Sequence, residues 1–311
     1  MMKTAFIFPG QGSQYVGMGK ELADLLPIAR QVFEEADQVL AMRLSSLCFE
    51  GPEEELRLTV NTQPAILTTS IAALKVLESR GARADFVAGH SLGEYSALVA
   101  AGSLRFEQAL RAVRKRGLYM QEAVPRGEGA MAALIGVDIE VVQCICTESS
   151  SLGVCAPANI NSPSQTVIAG SKPAVEHAVE LAKAKGAKRA VMLAVSAPFH
   201  CELMKPAADK LQAVFDEISF SNLNAPLVTN VDAEMITSGA DARDALIRQV
   251  ASPVRWSESI KRLLDEGVTR FVEVGPGKVL SGLVRQISRQ SQILNIEDVQ
   301  SLAATAAAFG L

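Results

Sequence analysis

The chain has no paired cysteine spacing. Its five cysteines, Cys48, Cys144, Cys146, Cys155 and Cys201, are odd in number and scattered, with no C-x-x-C among them. That excludes a disulfide framework and a thiolate zinc site, and it fits a reducing cytoplasm. Cys144 and Cys146 fall on an expected helix, where residues two apart do not face each other, so they read as packing residues. No apolar run approaches membrane-spanning length. The N-terminal run Ala5-Phe6-Ile7-Phe8 is broken by Pro9-Gly10 and is too short for a signal peptide. A net charge of -4 gives no electrostatic footprint for nucleic acid. There is no internal repeat, no low-complexity linker and no Walker lysine. The loop Gly10-Gln11-Gly12-Ser13 has Tyr15 where a dinucleotide fingerprint needs glycine.

What is present is an apolar body, 49% of 311 residues, long enough for one large core and a smaller unit. Within it, Ala88-Gly89-His90-Ser91-Leu92-Gly93-Glu94 follows a short apolar run and precedes a helical one. This is the G-x-S-x-G elbow in its required strand-turn-helix setting. The turn is so tight that side chains beside the serine would clash, which is why glycines flank it. Ser91 is thereby the candidate nucleophile, lifted over a helix N-terminus that favours developing negative charge.

A serine nucleophile needs a base, and only three histidines are available. His90 is the elbow neighbour and points away from Ser91. His177 lies on an amphipathic helix and reads as surface. His200 follows a Pro-Phe break at a junction between two textures of sequence, where clefts form. Elimination leaves His200 as the base. A hydrolase would place an acid between serine and histidine. The only aspartate in that interval is Asp138, which reads as a helix N-cap. A neutral group such as a backbone carbonyl is then expected to hold the imidazole.

The helix expected from Leu104 to about Gln121, with Ser103 as N-cap, carries an apolar stripe of Phe106, Ala109, Leu110, Val113 and Met120. Of its basic residues, Arg116 falls nearest the stripe, while Arg111 and Lys115 point away. A guanidinium there needs an anionic partner. A protein carboxylate and a substrate carboxylate held bidentately are both open.

Strands alternating with helices imply an α/β fold with a mainly parallel sheet. From residue 127 to 197 the order becomes βαββαβ, the ferredoxin-like pattern, read as a small inserted domain. Residues 1–126 and 198–311 form the large domain, α/β-hydrolase-like through its serine elbow. The Ala-rich tail from Leu302 reads as a frayed or loosely docked helix.

Taken together, Phe8-Pro9-Gly10-Gln11-Gly12-Ser13-Gln14, Gly89-His90-Ser91-Leu92-Gly93-Glu94-Tyr95, Arg116-Gly117, Asn159-Ile160-Asn161-Ser162-Pro163, Phe199-His200 and Val274-Gly275-Pro276-Gly277 span nearly the whole chain. The set resembles the malonyl-CoA:acyl carrier protein transacylases and the acyltransferase domains of polyketide and fatty acid synthases. The resemblance implies malonyl transfer through an ester on Ser91, with His200 as base and then acid. It implies that the Gln249 backbone carbonyl orients His200, a role nothing else in the sequence suggests. It also implies that Gln11 and Leu92 give oxyanion-hole N–H groups, that Arg116 clamps the malonate carboxylate, and that Phe199 is the malonyl-selecting form of its position. No resident cofactor or metal is implied. Coenzyme A thioester and acyl carrier protein would be the partners, the latter on a basic surface drawn from Arg111, Arg114, Lys115, Lys183, Lys185, Lys188 and Arg189. A serine thioesterase, a non-catalytic relative that docks a carrier, and a trans-acting polyketide acyltransferase are the rival readings.

Overall fold

In the computed structural model, residues 2–195 and 197–311 are described. Ten strands form two sheets: β1 (Lys3–Phe8), β2 (Phe86–Gly89), β3 (Gly129–Ile135), β4 (Cys155–Ser162), β5 (Gln165–Ser171), β6 (Arg189–Met192), β7 (Leu227–Val228), β8 (Met235–Ile236), β9 (Val268–Val274) and β10 (Gln292–Ile296). The larger runs β10-β9-β1-β2-β7-β8 and the smaller β4-β5-β3-β6. In the larger, all neighbours are parallel except the β7–β8 edge pair. The smaller is antiparallel throughout. The protein is thus α/β, with one mostly parallel sheet and one small antiparallel sheet.

A parallel sheet needs cover on both faces, and its strands should be apolar on both. In β1, Phe6 and Phe8 enter one core while Ala5 and Ile7 enter the other. The helix Thr59–Ser79 is buried on nearly every side, including Thr62 and Gln63. The small sheet is also two-faced. Ala130, Ala132 and Leu134 of β3 pack under helices Ile139–Ser149 and Lys172–Ala184, while Met131 turns into the larger core. Backbone bonds tie β4 of the small sheet to the segment before helix Trp256–Asp265: Ile160 N–H donates to Val254 O and Val254 N–H to Ala158 O, both at 2.9 Å.

Three expectations are corrected. The helix carrying Arg116 runs Phe106–Glu122 with Arg105, not Ser103, at its N-cap. Ser103 N–H donates back to Leu98 O, so it closes the preceding helix instead. The Ala-rich tail is a docked helix, Val299–Phe309. Asp298 caps it through a capping box, Leu302 is buried, and Phe309 packs edge-on against Phe6. Its alanines pack closely because they are small, which composition alone does not reveal. Finally, of the two cysteines read as packing residues, Cys146 is buried but Cys144 is exposed, because residues two apart on a helix point to different faces.

Candidate active site

β1 and β2 run parallel, with Phe8 beside Gly89, and both end at the same edge of the sheet. The carboxyl ends of parallel strands are where open α/β sheets place ligands. Here the Gly10–Gly12 loop and the serine elbow emerge side by side. Ser91 sits at φ 51°, in the left-handed region that non-glycine residues avoid. The flanking glycines have a steric cause. A Cβ on Gly89 would lie 1.9 Å from Gly93 C, and one on Gly93 would lie 2.0 Å from Phe8 O.

His200, also at positive φ (60°), reaches the elbow from beyond the small sheet. Its Nε2 lies 2.7 Å from Ser91 Oγ, and its Nδ1 lies 2.9 Å from the backbone carbonyl of Gln249. A carbonyl only accepts, so Nδ1 carries the proton and Nε2 is left to accept from the serine. Burial is the main cause that lowers the His200 pKa, to about 3; the nearby Arg116 charge adds to it, and the bond to Gln249 opposes it. The imidazole is therefore neutral, as a base must be. Among the described residues no carboxylate bonds the ring; the neutral Gln249 carbonyl takes that place.

Arg116 is 2% exposed, on the inward face of its helix. Its Nη1 donates to Gln63 Oε1 at 2.8 Å; its Nη2 donates to Gln249 Oε1 at 2.9 Å and to Ser91 Oγ at 3.1 Å. The guanidinium also lies 5.6 Å over the Tyr95 ring. Every one of these partners is neutral, and among the described residues no carboxylate forms an ion pair with it. Burial pulls its pKa down, yet an arginine stays protonated. Of the two partners left open by the sequence, the protein carboxylate is absent among the described residues. A buried cation beside Ser91 with no carboxylate in contact with it is fit to receive an anion.

These groups line a cavity of about 120 Å3 together with Gln11, Leu92 and Phe199. Among the described residues, the backbone N–H groups of Gln11 and Leu92 have no acceptor. A wider groove, about 610 Å3, reaches His200 from the other side past Cys155, Pro157, Cys201 and Ala251. Of the other two histidines, His90 also lines the smaller cavity but bonds away from Ser91, and His177 lies outside it. His90 Nε2 bonds Asn161 Oδ1 at 2.8 Å, and His177 Nδ1 bonds Ser149 Oγ at 3.1 Å on the surface. Among the described residues no group of three or more His, Cys, Asp or Glu converges as a metal site, and no helix is long and apolar enough to cross a membrane.

Four site residues were not read from the sequence. Asn230 Oδ1 accepts from Ser91 N–H at 2.6 Å, and its Nδ2 donates to Gly89 O at 2.6 Å, so it staples the elbow. Gln63 receives Arg116. Asn161 holds His90. Glu94 receives Asn230 N–H at 3.0 Å and Gln249 Nε2 at 2.9 Å. Asn230 follows a two-residue strand and carries no signal of its own.

A family of acyl transferase domains matches residues 5–306 of the chain. The chain belongs to the acyl transferase family. A malonyl CoA-acyl carrier protein transacylase of Bacillus subtilis is 54% identical over 303 residues, covering 97% of this chain and 96% of the relative. The structure of a malonyl CoA-acyl carrier protein transacylase from Coxiella burnetii superposes with a TM-score of 0.96 at 45% identity, covering 98% of this chain and 97% of that one. A malonyl-transacylase solved in complex with a type II polyketide synthase acyl-carrier protein gives 0.96 at 47% identity, covering 98% and 99%. This acyl transferase therefore shares with those relatives nearly its whole length, not just the elbow.

Proposed function

We propose that this acyl transferase moves a malonyl group from malonyl-CoA to the phosphopantetheine thiol of an acyl carrier protein, supplying fatty acid elongation. The observation that carries the reading is Arg116: a buried guanidinium, donating to Ser91 Oγ and to two amide oxygens, with no carboxylate paired to it. A three-carbon acyl unit esterified to Ser91 ends in a carboxylate that belongs on such a group.

The route is ping-pong. Ser91 Oγ attacks the thioester carbonyl while His200 Nε2 takes its proton. The N–H groups of Gln11 and Leu92 receive the oxyanion. His200 returns the proton to the departing CoA sulfur. The carrier thiol, entering by the groove beside His200, gives its proton to the imidazole and attacks the ester; the Ser91 Oγ–acyl bond breaks, and His200 Nε2 returns the proton to Ser91 Oγ as the malonyl group leaves on the carrier sulfur. Gln249 O keeps the ring in the tautomer both half-reactions need. Phe199 walls the acyl pocket, and the Arg116 contact supplies orientation as well as selection.

The finer fold reading belongs to the same proposal: an α/β-hydrolase-like domain of residues 1–126 and 198–311 with a ferredoxin-like insert at 127–197. The strand order β4-β5-β3-β6 in a βαββαβ run supports the insert. The solved complex with a polyketide carrier protein favours a second destination, in which the acyl transferase loads a polyketide assembly in trans.

The test is incubation with labelled malonyl-, methylmalonyl- and acetyl-CoA, then mapping of the labelled residue and addition of carrier protein. The expected result is malonyl on Ser91 that passes to the carrier. Release of free malonate with no transfer would make the protein a thioesterase instead.

A further inference from the structure

Glu94 occupies the first turn of the helix that leaves the elbow, and it is fully buried. Both hydrogen bonds it accepts go to one oxygen, Oε2, from Asn230 N–H and Gln249 Nε2. Its other oxygen, Oε1, is buried with no partner among the described residues. Asn230 and Gln249 are the residues that hold the site. Asn230 takes the Ser91 N–H, and Gln249 Nε2 donates to Ser91 O at 3.0 Å. Gln249 also accepts from Arg116 and, through its backbone, from His200. One carboxyl group thus stands behind nucleophile, base and guanidinium without touching any of them.

The ionisable groups facing it are few. Tyr95 lies on its own helix, Arg116 comes from helix Phe106–Glu122, and Asp232, in a bidentate pair with Arg248, lies after β7. β2 carries no ionisable residue, and those of helix Thr59–Ser79 and of β1, Lys75, Glu78 and Lys3, lie at exposed or half-exposed positions. Among the described residues Arg116 is therefore the only cation facing Glu94, and Glu94 is the anion closest in the polar network to Arg116.

We propose that Glu94 sets selectivity for an acidic acyl group by gaining or losing a proton at Oε1. It is ionised when Arg116 has no other anion, and protonated when a substrate carboxylate seats on the guanidinium. This rests on the reading that malonate binds Arg116. Two anions around one buried cation cost more than one, so the weaker acid takes up a proton. Burial already pushes the Glu94 pKa up to about 7, against the bonds from Gln249 and Asn230 and the Arg116 charge that lower it. A small change in charge then moves it across neutrality.

Linkage fixes the sign. Malonyl binding raises the proton affinity of Glu94, so rising pH must weaken malonyl binding, and by the same factor. The test uses Ser91→Ala protein, which binds without reacting. Calorimetric titration with malonyl-CoA in buffers of different ionisation enthalpy at pH 7 should show proton uptake. The dissociation constant should rise about fivefold or more between pH 6 and pH 8. Glu94→Gln keeps an acceptor for Asn230 and Gln249 while removing the charge. In the Ser91→Ala background it should abolish both the uptake and the pH dependence, and acetyl-CoA binding should be indifferent to pH in both proteins. Preferential malonyl binding with no uptake and no pH dependence would overturn the role of Glu94. Equal affinity for malonyl- and acetyl-CoA would overturn the Arg116 reading itself. Should Glu94→Gln fail to fold, the uptake measured with Glu94 intact decides alone.

Discussion

At the residue scale, Arg116 and His200 do different work and fail differently. Arg116→Ala removes the anion receptor and leaves the serine, its base and the oxyanion donors in place. We expect kcat/KM for malonyl-CoA to fall by about 2–5 kcal/mol of transition-state binding. Acetyl transfer should be retained or improved, which competition between the two thioesters would read; an unchanged malonyl preference would remove the clamp. Ser91→Ala should yield no acyl-enzyme by intact mass spectrometry under conditions that label the native protein. The base gives a pH signature. Because burial and Arg116 hold His200 far below the ordinary imidazole value, at about 3, it stays neutral on acidification. The profile of kcat/KM for malonyl-CoA should be level from pH 6.5 down to about 5, with no inflection at the free-histidine pKa of about 6.5. An inflection there would mean that solvent reaches the ring.

At the scale of the element, the elbow is a steric construction before it is a chemical one. β1, β2 and the helix Gly93–Ala100 converge so closely that Gly93 rests on the carbonyl of Phe8. Gly93→Ala must push strand and helix apart, at a cost of about 3 kcal/mol. Its melting temperature should fall, and whatever protein still folds should acylate slowly, because Ser91 loses alignment with His200. Normal labelling in a folded Gly93→Ala protein would separate the turn from the chemistry. The same convergence explains what was readable. The elbow is local, so seven consecutive residues announce it. The Gln11 loop and the Arg116 stripe are also local. The staple from Asn230 to the elbow spans 139 residues. It depends on how a two-residue strand is placed beside β2, which no local pattern encodes.

At the scale of the whole molecule, buried ionisable groups shape stability. His200 and His90 are held neutral, so on acidification the unfolded chain takes up protons that the native chain refuses, and stability is lost below pH 6.5. Glu94, raised to about 7, and Glu273, raised to about 6 by burial, act the other way. Between pH 6 and pH 5 the native chain holds protons on them that the unfolded chain releases more readily, so acidification stabilises. The two effects oppose each other in that interval. Glu94→Gln should expose a decline on acidification of up to about 1.4 kcal/mol per pH unit, and His200→Gln should expose a rise. Urea unfolding midpoints at the two pH values would read both, and parallel behaviour of the two variants would contradict these assignments.

The sequence by itself determined the strand-turn-helix of the elbow, the inward placing of Arg116 and, through the scarcity of histidine, which histidine faces Ser91. Each follows from short-range sterics, helical periodicity or elimination among few candidates. The alternation of strands and helices likewise implied a mostly parallel sheet. Only the tertiary structure decided that the guanidinium meets amide oxygens instead of a carboxylate; a neutral orienter for the imidazole was expected, but beyond the family resemblance nothing in the sequence picked out the Gln249 carbonyl. The tertiary structure alone showed a buried glutamate behind both. Those contacts join residues far apart in the chain and depend on side chains leaving helices of ordinary appearance. A backbone carbonyl, moreover, belongs to every residue and so marks none.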